Sequence, residues 1–195
     1  EATLSGEYAL DAVVAADGSV YVVGYTSGPL GGQTSQGGAD AFLAKYDAAS
    51  NRQWVKLLGE AAHDFARAVC LDGLGHVYVA GYTSGDLDGE GNEGGYDTFL
   101  ARYTLGGTFV DVEQRGSGGD DYAFDVTCDS VGNPYVVGYT DGDFEGNANK
   151  GGFDVFLYKV GVSGFGWVIQ PGTTWNDYGT CIEYYSDDRI ILAGH

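Results

Sequence analysis

The sequence predicts an all-β fold of about three and a half tandem four-stranded units. Three observations carry this. The chain repeats itself at a fixed period, each copy divides into four short apolar runs between turn signals, and no segment shows a capped helical period.

The period is read from spaced triplets. Gly24-Tyr25-Thr26 returns as Gly81-Tyr82-Thr83 and as Gly138-Tyr139-Thr140, each 57 residues on. Asp40-Ala41-Phe42-Leu43 returns at the same spacing as Asp97-Thr98-Phe99-Leu100 and Asp154-Val155-Phe156-Leu157. Residues 7–46, 64–103 and 121–160 align without a gap, and 14 of these 40 positions are identical in all three, which chance does not produce. A fourth copy starts at Asp177-Tyr178 and runs to His195, with Gly194 one residue early.

In the second copy the strands are expected at about 66–71, 77–83, 97–103 and 108–114, with turns at Gly73–Gly75 and Gly106-Gly107. Four strands in some fifty residues, tandemly repeated, is one β-propeller blade; a β-helix has shorter rungs, and a sandwich does not ordinarily repeat its sequence. The chain therefore reads as one partial propeller domain over residues 1–195, with blades at about 7–63, 64–120 and 121–176 and an incomplete one at 177–195. A closed ring takes about 4–8 blades. The rest is expected from a longer chain or another subunit, because an open stack exposes apolar faces. Absence of Met, including at position 1, fits a processed or partial product. Tyr21, Tyr78 and Tyr135, with Phe42, Phe99 and Phe156, are expected to pack between blades.

The motif Tyr-Val-x-Gly-Tyr-Thr, then a Gly-rich loop, then Gly-Gly-x-Asp-x-Phe-Leu resembles the SBBP family of β-propeller repeats over nearly the whole chain. The resemblance implies a propeller, often within large secreted or surface proteins, and no catalytic residues. The last copy departs from it: Ile191-Leu192-Ala193-Gly194-His195 lacks the Tyr and Thr.

Composition bounds the function. There are 34 glycines and 3 prolines, but 44% hydrophobic residues with 15 tyrosines argue for many tight turns in a folded chain. A formal charge of -19 without any basic cluster excludes nucleic acid as a partner and suits a basic protein. The longest weakly charged stretch, Val160 to Asn176, is broken by Gly, Thr and Pro171, so no direct membrane insertion is expected. Location is expected to be extracellular or at the cell surface, with an organelle lumen as the alternative. The three cysteines fit neither a disulfide framework nor a zinc site. Cys70 lies six residues after Asp64 and Cys128 seven after Asp121, so they are expected on opposite strand faces, as buried free thiols.

Candidate chemistry lies in the loop between the second and third strands. Asp86, Asp88, Glu90 and Asn92, and in the next copy Asp143, Glu145 and Asn147, place oxygens near every second residue among glycines, a pattern able to wrap calcium. Copy one has no acid there, and the full twelve-residue calcium pattern is missing. Asp40, Asp97 and Asp154 read as acceptors for amides of the preceding Gly-Gly turn, whose glycines are expected at positive φ. Lys45, Arg102 and Lys159 read as surface or inter-blade partners. His63, His76 and His195 fall at unrelated repeat positions, and no nucleophile triad or phosphate loop is present. Trp54, Trp167 and Trp175 are candidates for sugar stacking. Asp11 and Asp125 share a repeat position that holds Ala68 in the second copy, a candidate carboxylate pair.

The expected function is a non-catalytic interaction or scaffold module of a larger protein or assembly. The alternatives are a carbohydrate-binding or glycan-active propeller and a calcium-binding structural repeat.

Overall fold

The computed structural model describes residues 6–89, 91–161, 164–186 and 189–195. Three four-stranded antiparallel sheets follow one another, each in strand order, and a two-stranded sheet follows them. Blade 1 holds β1 (Glu7–Val14), β2 (Val20–Thr26), β3 (Asp40–Tyr46) and β4 (Arg52–Leu58). Blade 2 holds β5 (Asp64–Leu71), β6 (His76–Thr83), β7 (Asp97–Thr104) and β8 (Phe109–Arg115). Blade 3 holds β9 (Asp121–Cys128), β10 (Pro134–Thr140), β11 (Asp154–Gly161) and β12 (Gly164–Ile169); blade 4 holds β13 (Gly179–Ser186) and β14 (Arg189–Gly194). The all-β propeller-repeat fold is the one the period implied. The described helical turns are two short 3-10 turns, Leu87–Gly89 and Phe144–Gly146, and no described helix is long and apolar enough to cross a membrane.

The core lies between blades. Tyr21, Val23, Ala41 and Leu43 of blade 1 cluster with Val77, Val79, Phe99 and Ala101 of blade 2. Tyr78, Ala80 and Leu100, at the alternate positions of blade 2, cluster with Val136, Phe156 and Tyr158 of blade 3. Alternate side chains on a strand point to opposite faces, so a sheet covered on both faces needs an unbroken apolar run. That is why Val77–Ala80 has no polar residue. Phe99 and Phe156 are fully buried, each contributing roughly 1.5–3 kcal/mol. Phe42 differs: it clusters with Ala44 and Val55 of its own blade, because no described sheet covers that face of blade 1.

Every first strand carries a bulge at one repeat position. The register skips Leu10 in β1, Arg67 in β5, Phe124 in β9 and Thr180 in β13. The bulge drives the carbonyl of the preceding aromatic residue against the second strand. A Cβ on Gly24, Gly81, Gly138 or Gly194 would overlap the carbonyl oxygen of Tyr8, Phe65, Tyr122 or Tyr178. The glycine of Gly-Tyr-Thr is thus dictated by backbone approach. The threonine closes the next turn: Thr26, Thr83 and Thr140 accept through Oγ1 from the amides of Gly28, Gly85 and Gly142.

Two expectations are corrected. The paired glycines Gly37-Gly38, Gly94-Gly95 and Gly151-Gly152 are not at positive φ. They are small because the chain entering the next blade presses on them: a Cβ on Gly37 would strike Glu60 and Ala61, and one on Gly94 would strike Ser117 and Gly119. Cys70 and Cys128 are not free thiols; they form a disulfide. They do point to opposite faces of their own blades, but neighbouring blades meet face to face. Cys70 faces forward into the cluster shared with blade 3, and Cys128 faces back into the same cluster.

Candidate binding surface

One end of the blades gathers the second-to-third-strand loops and the crossings from each fourth strand to the next blade. Each crossing is tied the same way. The amides of Asp64, Asp121 and Asp177 donate to the carbonyls of Ala39, Tyr96 and Phe153 at 2.6 Å. In return the amides of Ala39, Tyr96 and Phe153 donate to His63 Nδ1, Asp120 Oδ1 and Asn176 Oδ1. The fourth-to-first-strand connection is thereby stitched to the loop of the previous blade.

Two aspartates flank each crossing. Asp40, Asp97 and Asp154 accept, through Oδ2, the amides of Gln36, Glu93 and Lys150, the residues just before the Gly-Gly pairs. Asp64, Asp121 and Asp177 accept the amides of Glu60, Ser117 and Thr173. Asp40, Asp97 and Asp154 thus close the turn as read from the sequence, through the amide just before the Gly-Gly pair, while the role of Asp64, Asp121 and Asp177 was not foreseen. Among the described residues the Oδ1 atoms of Asp40, Asp97 and Asp154 are buried without a hydrogen-bond partner. A Cβ on Gly116 or Gly172 would collide with the Oδ1 of Asp97 or Asp154, and one on Gly59 would overlap Asp64 Oδ2 and press on Asp40 Oδ1. Burial first, and the neighbouring carboxylates Asp40 and Asp97 besides, push Asp64 and Asp121 up to about 6 against hydrogen bonds that favour the charged form. Burial also raises Asp97.

Beside the crossings runs an array of aromatic rings. Tyr8 pairs across strands with Tyr25, Phe65 with Tyr82 and Tyr122 with Tyr139. At each blade boundary the second-strand tyrosine meets the next first-strand ring edge to face. Tyr25–Phe65, Tyr82–Tyr122 and Tyr139–Tyr178 have centroids 4.8, 4.9 and 4.8 Å apart. Tyr96 and Phe153 bridge from the loops, and His195 closes on Tyr178. Such contacts contribute about 0.5–1.5 kcal/mol each beyond area burial. Unlike Phe99 or Tyr158, these rings stay partly exposed; Tyr8 is 53% exposed. The signal lay in the sequence, as an aromatic second residue on the first strand of blades 1, 2 and 3 with the motif tyrosine paired opposite. It reads as alignment until the register puts the rings together.

The predicted calcium oxygens are dispersed over loop-closing bonds. Asp86 Oδ1 accepts from Gly91 N at 2.6 Å, and Asn92 spans Gly85 O, Gly95 O and Gly94 N. Asp143 accepts from Asn149 N, Asn147 donates to Phe144 O, and Glu145 pairs with Arg115 at 3.2 Å. Glu90 and the side chain of Asp88 lie outside the described residues. Among the described residues no group of three or more His, Cys, Asp or Glu is arranged to hold a metal ion.

The other candidates have local partners. Asp11 Oδ2 accepts from Val69 N at 2.9 Å, and Asp125 Oδ2 from Ile182 N at 2.7 Å, so each carboxylate joins its blade to the next. Burial raises Asp125. Lys45 Nζ donates to Leu105 O across the first boundary, whereas Arg102 pairs with Asp111 and Lys159 with Asp129 inside their own blades. His76 Nδ1 sits 2.7 Å from Asp72 Oδ2, in the turn where blade 3 has the pair Asn133 and Asp129. The tryptophans share no surface: Trp54 packs on Tyr21, Trp167 on Tyr135, and Trp175 is 80% exposed.

Comparison with known proteins agrees with this architecture. Residues 53–88 and 101–145 match the family model described as a β-propeller repeat, SBBP. A stretch of 109 residues is 31% identical to the regulatory protein FlaEY of Caulobacter vibrioides, covering 50% of this chain and 11% of that protein. The chain thus spans about a tenth of that relative's length. Over those two segments, which lie mainly in blades 2 and 3, this chain is similar to β-propeller repeats of the SBBP type.

Proposed function

We propose that this chain is a non-catalytic interaction module within a larger protein or assembly, which supplies the rest of the ring. One observation carries the reading: the side chains that recur are spent on joining blades and closing turns, while the loops at the ringed end differ from blade to blade. Rigid repeats with varied loops bind partners through those loops. The sequence segments at that end, 27–39, 59–63, 84–96, 116–120, 141–153 and 170–176, hold nine acids against one lysine, Lys150. That imbalance favours a basic protein partner. The Asp11 and Asp125 carboxylates each hold an amide of the next blade, which supports structural work for them over catalysis. The disulfide supports an extracellular, surface or lumenal setting. The word regulatory in the name of the FlaEY relative is compatible with a binding role.

The test is cross-linking of the longest natural protein containing this chain, with a carboxylate-reactive reagent and peptide mapping. Partner cross-links at 84–96 and 141–153, lost when the acids there are reversed to lysine, are the expected result. A purified chain that hydrolyses members of a glycan panel overturns the reading, as does a partner map that avoids this end.

A further inference from the structure

The ring array has a chemistry that blade packing does not need. Packing alone is served by the fully buried Phe99, Phe156 and Tyr158. The array keeps ring surface open, beside loops rich in carboxylates. It also already contains a cation. The Arg67 guanidinium lies 4.4 Å over the Phe124 ring, and Phe124 stacks on Tyr139 at 4.9 Å. Arg67 Nε is buried without a hydrogen-bond partner among the described residues. A guanidinium is therefore held there by ring faces rather than by an oxygen acceptor at that nitrogen.

We propose that the array of Phe65, Tyr82, Tyr96, Tyr122 and Tyr139 is the seat for an arginine or lysine side chain on an extended segment of a partner protein. This rests on the interaction-module reading and names the chemistry of its partner. Ring faces attract a cation through their quadrupole, most strongly when water is partly excluded. The acidic loops raise the local concentration of a basic segment and orient its approach. A neutral sugar would use the ring faces but gain nothing from the surrounding charge.

The test uses the full chain and two labelled peptides at fixed ionic strength, one with three arginines and its twin with citrulline at those positions. The arginine peptide is expected to bind, and the citrulline twin roughly tenfold more weakly. Tyr82→Leu with Tyr139→Leu is expected to weaken the arginine peptide by roughly three- to tenfold, while Tyr82→Phe with Tyr139→Phe restores it. Circular dichroism checks the fold of each variant. Leucine variants that bind like the unmodified chain, with binding lost only when Glu93→Gln and Asp141→Asn are made, overturn the ring seat but leave the interaction module standing on charge alone. No binding of either peptide, or ring-resonance shifts with a neutral oligosaccharide instead, also overturns it. The module itself fails separately, on an absence of partner cross-links.

Discussion

Cys70 of β5 and Cys128 of β9 are bonded across the boundary of blades 2 and 3, with Cα atoms 6.4 Å apart and a sequence separation of 58. They occupy different repeat positions, since Cys128 aligns with Leu71. That one-step offset is what a bond between facing blades requires. Val13 holds the position of Cys70 in blade 1, so this staple has no counterpart at the first boundary.

Closing a loop of this length stabilises by about 4 kcal/mol in the chain-entropy account, and disulfides typically deliver about 2–4 kcal/mol. Cys70→Ser with Cys128→Ser, or reduction under native conditions, is therefore expected to lower the thermal midpoint by several degrees. Identical melting curves with and without reductant would sink this assignment.

The second prediction concerns Gly81 and Gly138. A Cβ at either would overlap a first-strand carbonyl and crowd the ring of Phe99 or Phe156. Gly81→Ala or Gly138→Ala is expected to cost about 2–4 kcal/mol. Gly118→Ala is the control: a Cβ there would meet nothing within 4 Å, and the variant is expected to stay within about 0.5 kcal/mol of the parent. Urea midpoints for the three variants decide the matter, and equal midpoints would show that the bulge can relax.

Calcium is tested on the loops of blades 2 and 3. Asp86, Asn92, Asp143 and Asn147 already serve loop amides and carbonyls. Adding calcium after chelation is expected to move the melting midpoint by less than about 1 °C, since a ligand stabilises only as RT ln(1 + [L]/Kd). A rise of several degrees that disappears in Asp86→Asn or Asp143→Asn would assign a calcium site to the loop concerned.

The fold was legible because a propeller imposes the same neighbours on every blade, so Gly-Tyr-Thr and Asp-x-Phe-Leu had to recur. Strand faces were legible from alternation, as Tyr78 and Val79 show by facing opposite neighbours. What pairs across a boundary was not. The direction inferred for Cys70 and Cys128 was sound, but alternation within one strand says nothing about which sheet stands opposite. The Gly-Gly pairs misled for a related reason: a glycine excluded by a neighbouring loop looks, in sequence, like one required by φ. The ring array was hidden because it takes the register of β5 and β6 to set Tyr82 against Phe65, and the packing of blade 3 on blade 2 to set it against Tyr122.

The last prediction is the direction of pH dependence. Burial holds Asp64 and Asp121 at about 6 in the folded chain, against an ordinary value of 3.8. Between those values the folded state binds more protons than the unfolded one. Stability from these groups is thus complete below about pH 4 and lost as pH rises through 6. Burial raises Asp97 and Asp125 in the same sense. Asp129 acts oppositely: although burial resists it, bonds from Asn133 and Lys159 hold it at about 2, so its contribution is lost as pH falls from about 4 towards 2. Stability should therefore peak near pH 4–5, with a melting midpoint roughly 3–6 °C above that at pH 7.5. Relief of the chain's overall negative charge on acidification works in the same direction. Asp64→Asn with Asp121→Asn separates the two: it removes the buried titrations and changes the net charge by only two, so it should flatten most of the rise between pH 7.5 and 5. An unchanged slope in that variant would assign the pH dependence to surface charge and remove the blade crossings from the account.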